Sequence, residues 1–396
     1  MTKISAQAVS RESFSRRIWL KTWQGVGVKL GFAWVGVLIF MGVFAPFLAN
    51  SMPLLMSKDG VLSAPVLAYL TAEDALVLAM FALALLLAWL PLSGGKRVVL
   101  FIAGTLLAAL LANWLVKPPA VKIYDEFRTP AYTEVDWRIM PPVPYAPTDY
   151  LRDYPEHGLE APLASTERFH LMGTEENGAD VFSRMIHASR IALSIGLIAT
   201  GIALVIGVIL GGLMGYFSGV VDMLGMRLVE IFEAIPTLFL LLTFVAFFGR
   251  SLYMMMIIIG LTSWSGYARY VRAEFLKLRQ QEYVQAAVAS GLPLTSILFR
   301  HMLPNGVAPL LVAVSFGVAS AILAEATLSF LGLGLVGEPS WGQMLDQAVK
   351  SSTFNWWMAA FPGGAIFFTV FAYNLIGEAF RDAIDPKLSR KAGVGA

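Results

Sequence analysis

Few residues of this 396-residue chain have the types and spacing that chemistry requires. The histidines, His157, His170, His187 and His301, are scattered without ligand spacing, and cysteine is absent. Disulfides, thiolate metal sites and cysteine nucleophiles are therefore excluded. Ser93-Gly94-Gly95-Lys96-Arg97 has the glycines and lysine of a phosphate cradle. A P-loop, however, needs glycine five residues before its Gly-Lys pair and Ser or Thr after it. Leu90 and Arg97 occupy those places. No nucleophile–base pair, metal-ligand set or nucleotide loop is visible. The residues imply no catalysis and no metal, so a pump built this way must borrow its energy from elsewhere.

Isolated acids remain. Glu325 lies in a long apolar run. A carboxylate inside a bilayer is costly, so it is paired, protonated or beside water. It reads either as a translocation-path residue or as a satisfied hydrogen-bonding group beside Thr327 and Ser329. Glu230 and Glu233 are expected to find Lys or Arg partners within the bundle.

The most informative stretch is Glu282 to Asn305, EYVQAAVASGLPLTSILFRHMLPN, a modestly polar island in a very apolar chain. Val284 and Val288 are four apart, and no breaker interrupts 282–290. Gly291 sits where a left-handed helix cap belongs, and Pro293 forbids continuation. A second helix is expected over 294–302, ended by Pro304. Ala286, Ala287 and Ala289 keep the first helix thin, so another surface can come close. Arg269, Arg272, Lys277, Arg279 and Arg300 place the segment on the cytoplasmic side. A capped helix–turn–helix between membrane spans looks like a docking plug for a soluble partner.

The elements that must position this plug are membrane helices. The chain is 57% hydrophobic and 14% charged, with mean hydropathy +0.68, outside the range of soluble globular classes. Apolar runs predict about eight spans: 30–49, 75–92, 98–116, 191–215, 231–248, 252–268, 309–331 and 356–377. Residues 1–29 carry Lys3, Arg11, Arg16, Arg17, Lys21 and Lys29 against Glu12 and read as a cytoplasmic tail. The run after it suits a span better than a cleaved signal, because no small-x-small site follows. Lys96 and Arg97 put the turn between the second and third spans inside, and Arg381, Lys387, Arg390 and Lys391 put the C-terminal tail, 386–396, inside. Trp356 and Trp357 mark the outer interface. Ala203, Gly207, Gly211 and Gly215 recur every four residues, a stripe that marks close helix–helix packing in lipid. The fold expected is an all-α transmembrane bundle: three helices over 30–116, an outer loop over 117–189, and a five-helix core over 190–385 containing the loop 269–305.

The segment 117–189 has twelve acids against seven Lys and Arg, the reverse of the inner loops, and faces out. Its prolines, among them Pro130, Pro141, Pro142 and Pro155, and its aromatics favour an ordered, irregular cap. Near its end, Asn177-Gly178 is a turn pair, and Asp180 can cap the helix that enters the membrane.

The plug carries a resemblance. Gln285, Ala286 and Ala287, then Gly291, then His301, Leu303 and Pro304 resemble the EAA loop of ABC-importer permeases. Gln285 replaces the leading Glu, and His301 replaces a hydrophobic residue. Arg300 to Asn305, RHMLPN, is similar to the dipeptide and oligopeptide branch. Leu171 to Arg184 resembles the GTDxxGRDVxSR signature before the core helices of that branch. Gly173, Thr174, Gly178, Asp180, Val181, Ser183 and Arg184 fit, while Glu175 and Ala179 depart; the alternative is a simple capped turn. Ala324 to Gly334 resembles a core element of the same permeases.

The resemblance is weak over the first span and strong over about 170–386. It implies the type I importer permease fold, with residues 75–116 as an inserted hairpin beyond the usual six spans. It implies that Glu282, Gln285, Ala286, Ala287, Gly291, Arg300, His301, Leu303, Pro304 and Asn305 couple this chain to ATPase subunits. The implied partners are a second permease, two ATP-binding subunits, an extracytoplasmic solute-binding protein and the bacterial inner membrane. No cofactor is implied for this chain; ATP and Mg belong to the ATPases. Peptides are the implied cargo, and the motifs do not separate them from metal chelates, glutathione or peptide-like antibiotics. The rival reading is a self-contained secondary transporter or channel, for which internal repeats are expected and none is visible.

Overall fold

The computed structural model describes residues 22–23, 25–128, 135–154, 158–164, 168–335 and 337–384. Lys3, Arg11, Glu12, Arg16, Arg17, Lys21, Pro130, Pro155, His157, Lys387, Arg390 and Lys391 lie outside the described residues.

The main helices follow in the order α1 (Val26–Leu48), α2 (Ala72–Trp89), α3 (Gly94–Leu115), α4 (Val181–Phe217), α5 (Gly219–Ala234), α6 (Thr237–Phe248), α7 (Leu252–Arg279), α8 (Glu282–Ala289), α9 (Leu303–Leu328), α10 (Trp341–Lys350) and α11 (Trp356–Ile384). Among the described residues, six helices are long and apolar enough to cross a membrane, and seven spans result if α5 and α6 together make one. The expected span 252–268 is the first part of α7, whose 28 residues continue through Arg269, Arg272, Lys277 and Arg279.

Two expectations are corrected. The straight span 231–248 is instead a pair of helices bent by 83°. Pro236 explains the break: it lacks the N–H that would continue α5, and Ile235 before it is extended. Pro304 does not end a helix. Ile297–Met302 forms a wider π-type turn that runs directly into α9, with the Leu303 N–H reaching back to the Leu298 carbonyl. A wide turn leaves room for the proline ring, which would crowd the carbonyl four residues earlier in a tight α-turn.

The small-residue stripe of α4 packs on α7. A Cβ at Gly207 or Gly211 would overlap Tyr267 or the Ala268 carbonyl, and one at Gly215 would stand 2.6 Å from the Phe275 Cβ. α9, α11 and α1 complete the bundle: Leu38, Ala188, Ala192, Val318, Ile322, Trp357 and Tyr373 share one buried cluster. Gly31 of α1 abuts the Ala372 carbonyl of α11, and Trp34 donates to Thr369 at 3.0 Å. α2 and α3 pack mainly on each other and turn aliphatic faces outward, including Leu85, Leu86, Val98, Leu106 and Leu110.

Over one end of the bundle lies an ordered cap that contains strands as well as irregular chain. β1 (Leu55–Lys58) pairs antiparallel with β2 (Val61–Ser63) and with β3 (Trp137–Ile139). Residues 49–71 thus join 117–180 in one unit. Met52, Met56, Val66 and Phe127 form its apolar centre. Arg128 clamps the second half, donating to Asp149 at 2.6 Å and Asp153 at 2.7 Å, and Ser51 donates to Asp149 at 2.5 Å. Burial opposes the Arg128 charge, but the hydrogen bonds it donates to these carboxylates, with their negative charge, outweigh burial and raise its pKa.

Candidate coupling site

The segment after α7 folds as a short knuckle. In α8, Val284 and Ala287 turn inward and join Val271, Phe275, Leu278, Ile297, Met302 and Leu310 in one apolar cluster. That cluster touches Leu204, Val208 and Tyr216 of α4. The knuckle is therefore packed as a solid against α4, α7 and α9. Its outer face carries Glu282, Gln285, Ala286 and Ala289, all exposed, with Val288, Leu292 and Phe299 exposed beside them. The three alanines thus divide: Ala287 packs inward, while Ala286 and Ala289 face out.

The stop between the helices has a defined geometry. Gly291 has φ +71°, its N–H donates to the Val288 carbonyl at 3.0 Å, and the Leu292 N–H reaches the Ala287 carbonyl at 3.3 Å. This double closure satisfies carbonyls that a helix end leaves open, and the left-handed residue favours glycine. Pro293 then starts the next turn. Arg300 and Pro304 are exposed, and His301 and Leu303 are half-buried. Asn305 donates to the His301 carbonyl at 2.7 Å. Burial raises the pKa of the Tyr283 phenol, and a hydrogen bond with Asn305 opposes the shift.

Acids of α5 brace the same end. Arg272 holds Asp222 through two bonds, one of 2.6 Å, and Arg269 pairs with Glu233. Glu230 pairs with Arg227. The expected basic partners of Glu230 and Glu233 are thus in place; the Asp222–Arg272 pair is one that sequence reading missed.

The second group of motif residues lies at the far end of α4, which at 1.5 Å per residue is about 55 Å long. The structure does not bring the two groups together. Gly173 (φ +77°) and Gly178 (φ +93°) shape a tight loop closed by a bridge between Thr174 and Asp180. The Asp180 carboxylate caps α4 by accepting from the Ser183 N–H at 2.6 Å and meets His170 Nδ1 at 2.8 Å. Ser183 donates to the Tyr145 carbonyl at 2.7 Å. Arg184 reaches Glu175 and Gln347 of α10, both at 3.2 Å. Trp357 of α11 donates to the Thr174 carbonyl at 3.1 Å. These residues knot the cap to three helices. Burial pushes the Glu175 carboxyl up, with Arg184 opposing, and burial pushes the Tyr145 phenol up to about 12, assisted by Asp180. His170, one of the scattered histidines, and Trp357, expected at the outer interface, gain a role in this knot that the sequence did not show.

Glu325 is 2% exposed, near the cap end of α9, and accepts from Ser329 at 2.6 Å. Thr327 bonds instead to the Leu323 carbonyl. Gly342 packs against the Ala326 carbonyl beside it.

Comparison with known proteins matches residues 207–390 to the family described as "Binding-protein-dependent transport system inner membrane component". The chain is 36% identical over 242 residues to the dipeptide transport system permease protein DppC of Alkalihalophilus pseudofirmus, covering 61% of this chain and 78% of that protein. It is 40% identical over 253 residues to the di/tripeptide transport system permease protein DppC of Pseudomonas aeruginosa, covering 63% and 82%. It is 34% identical over 288 residues to the oligopeptide transport system permease protein OppC of Escherichia coli K12, covering 72% and 86%. Among solved structures, the MetNI methionine ABC transporter in inward-facing conformations aligns with TM-score 0.44 and 17% identity, over 51% of this chain and 97% of that one.

Proposed function

The chain belongs to the binding-protein-dependent transport system inner membrane components, the permease subunits of ABC importers, and from that membership we propose that it moves peptides through the bilayer with force received at α8. It is a multi-pass protein of the bacterial inner membrane. A second permease, two ATPases and an extracytoplasmic binding protein complete the machine, and ATP with Mg is held by the ATPases. α8 seats in an ATPase cleft through Gln285, Ala286 and their exposed neighbours, with Glu282, Arg300, Pro304 and Asn305 at its margin. Gly291 fixes the turn behind it, and His301 and Leu303 seat the return chain. The acid-rich cap faces the binding protein, and Gly173 to Arg184 anchor it. Cargo passes between the two permeases, with Glu325 at the cap-side end of the path.

The observation that carries this reading is the two-faced knuckle. Val284 and Ala287 lock it to α4, α7 and α9, while small and apolar residues stand free on the opposite side. A push on the free face moves three core helices together, because packed interiors transmit displacement. The test is ATP-dependent peptide uptake by the complete assembly in vesicles. Ala286→Trp is expected to abolish uptake and ATPase attachment while the permease still inserts. Wild-type uptake in that variant would overturn the docking role.

A further inference from the structure

Midway along the bundle, α4, α7 and α9 separate enough to leave a cavity of about 330 Å³. Its walls include Thr200, Ser263, Gly266, Tyr267, Gly317 and Ser320. None of its lining residues is Asp, Glu, Lys or Arg. Thr200 and Gly317 lie near the midpoints of α4 and α9, so the cavity sits at middle depth in the bilayer.

Two observations point to an occupant. The Thr200 side chain is buried, 4% exposed, and its hydroxyl makes no hydrogen bond of sound geometry among the described residues, with the Tyr267 phenol as its polar neighbour. The Tyr267 phenol makes only a long, 3.4 Å bond to the Ala313 carbonyl and lies within reach of Thr200, so neither hydroxyl is well satisfied. A buried hydroxyl is normally well partnered, so a poorly satisfied pair marks a place where something polar arrives. Second, the open side of the cavity carries Ser263, Gly266 and Ser320, all exposed. The lipid-facing hairpin α2–α3 presents Leu, Val and Ile instead. A surface of small and hydroxylated residues is poor company for acyl chains and good company for a polar ligand or a closely packed one.

We propose that this cavity is a mid-bilayer resting site for one uncharged residue of a peptide in transit, held by hydroxyl-to-amide hydrogen bonds. The inference rests on the reading of this chain as a peptide permease and specifies where on it cargo pauses. Its volume lies at the low end of ligand cavities, about 300–1,000 Å³, and suits a fragment of cargo rather than a whole long peptide. The absence of charge in its walls excludes the peptide termini and selects an amide with a small or apolar side chain. Tyr267 forms one wall and is held across Gly317, where any Cβ would overlap its hydroxyl. Gly266 opens the other wall, with nothing within 4 Å of where its Cβ would stand.

The chain has no cysteine, so Ser320→Cys supplies its single thiol. In vesicles holding the complete assembly, a charged, water-soluble methanethiosulfonate is expected to modify that thiol during turnover. A dipeptide delivered with the binding protein is expected to slow the modification, read as a mass shift of this chain. Gly266→Phe, which adds bulk at a lining position where a Cβ meets nothing within 4 Å, is expected to lose uptake while keeping assembly and ATPase activity. Gly36→Phe, at an equally open site on α1, is expected to keep uptake. The inference is overturned if Gly266→Phe imports like wild type, if cargo leaves the modification rate unchanged, or if only an apolar maleimide reacts, which would mean lipid fills the cavity. Wild-type assemblies that import no peptide would overturn the functional reading itself; uptake by both wild type and Gly266→Phe overturns only the resting site.

Discussion

Asp74 accepts a 2.5 Å ion-paired bond from Arg190, joining the first turn of α2 to α4 across 116 residues of sequence. One residue earlier, Glu73 accepts from Tyr253 of α7 at 2.9 Å. The hairpin α2–α3, which otherwise buries little, is thus stapled at one end to both central helices. Arg190 also donates to the Gly42 carbonyl of α1 at 2.9 Å, so its charge sits in a site built around it. Asp74→Asn strips that charge of its partner. Both side chains keep some exposure, so the loss is expected at about 1–3 kcal/mol, below the range for a fully buried pair. Arg190→Gln in the same background is expected to recover part of it, a coupling that a double-mutant cycle of detergent unfolding reads directly. Unchanged unfolding in Asp74→Asn would refute the staple.

The α4–α7 seam gives a second expectation. Gly211 faces the backbone carbonyl of Ala268, which cannot swing aside as a side chain could. Gly211→Val is expected to force the two helices apart and to destabilise the solubilised protein by about 1–3 kcal/mol or more. Gly201→Ala, with open space around its Cβ, is expected to be neutral. Thermal unfolding of the two variants side by side checks the contrast; equal midpoints would mean the seam is looser than its geometry.

That seam was legible in the sequence, because four-residue spacing of Ala203, Gly207, Gly211 and Gly215 has one reading in lipid. The apolar runs were legible for the same reason, as was the Gly291 stop. Other features were hidden. β1 pairs with β3 across some eighty residues, and strands of three or four residues carry too little pattern to declare themselves. The effect of Pro236 was not decided by its presence: a proline can kink a span or break it, and packing chooses. α10 is ten residues inside a Gly-rich exit and follows Ser340, which caps it by accepting from the Gln343 N–H at 3.2 Å. Ion pairs such as Asp222–Arg272 join distant segments and leave no local trace.

At the knuckle, adjacent alanines are expected to behave differently. Ala286→Trp adds bulk to a free face, so folding survives and ATP-driven uptake fails. Ala287→Trp drives an indole into the cluster of Val271, Phe275 and Met302, so the fold itself suffers, by about 1–3 kcal/mol or more. Gly291→Ala imposes a left-handed conformation on a residue with a Cβ and is expected to cost about 1 kcal/mol, with Gly291→Pro worse because its N–H bond to Val288 is also lost. Unfolding and uptake measured on the same preparations separate the two kinds of failure. If Ala286→Trp unfolds like Ala287→Trp, the two faces are not distinct.

Glu175 supplies a pH dependence with a definite sign. Its folded pKa is raised above 4.5 by burial, with Arg184 only partly offsetting this. Between 4.5 and the raised value the folded chain holds a proton that the unfolded chain has released. Stability from this group is therefore fully present below pH 4.5 and is lost as pH rises through the folded pKa. Asp136 behaves oppositely: the Gly60 N–H and the Ser57 hydroxyl hold its pKa below 3.8, so its contribution fades only as pH falls below that value. The two windows do not overlap. Glu175→Gln keeps an acceptor for Arg184 but removes the titration, so its unfolding midpoint should change less with pH above 4.5 than that of wild type. Two parallel curves over that range would show that Glu175 stays ionised in the folded cap and that Arg184 outweighs burial.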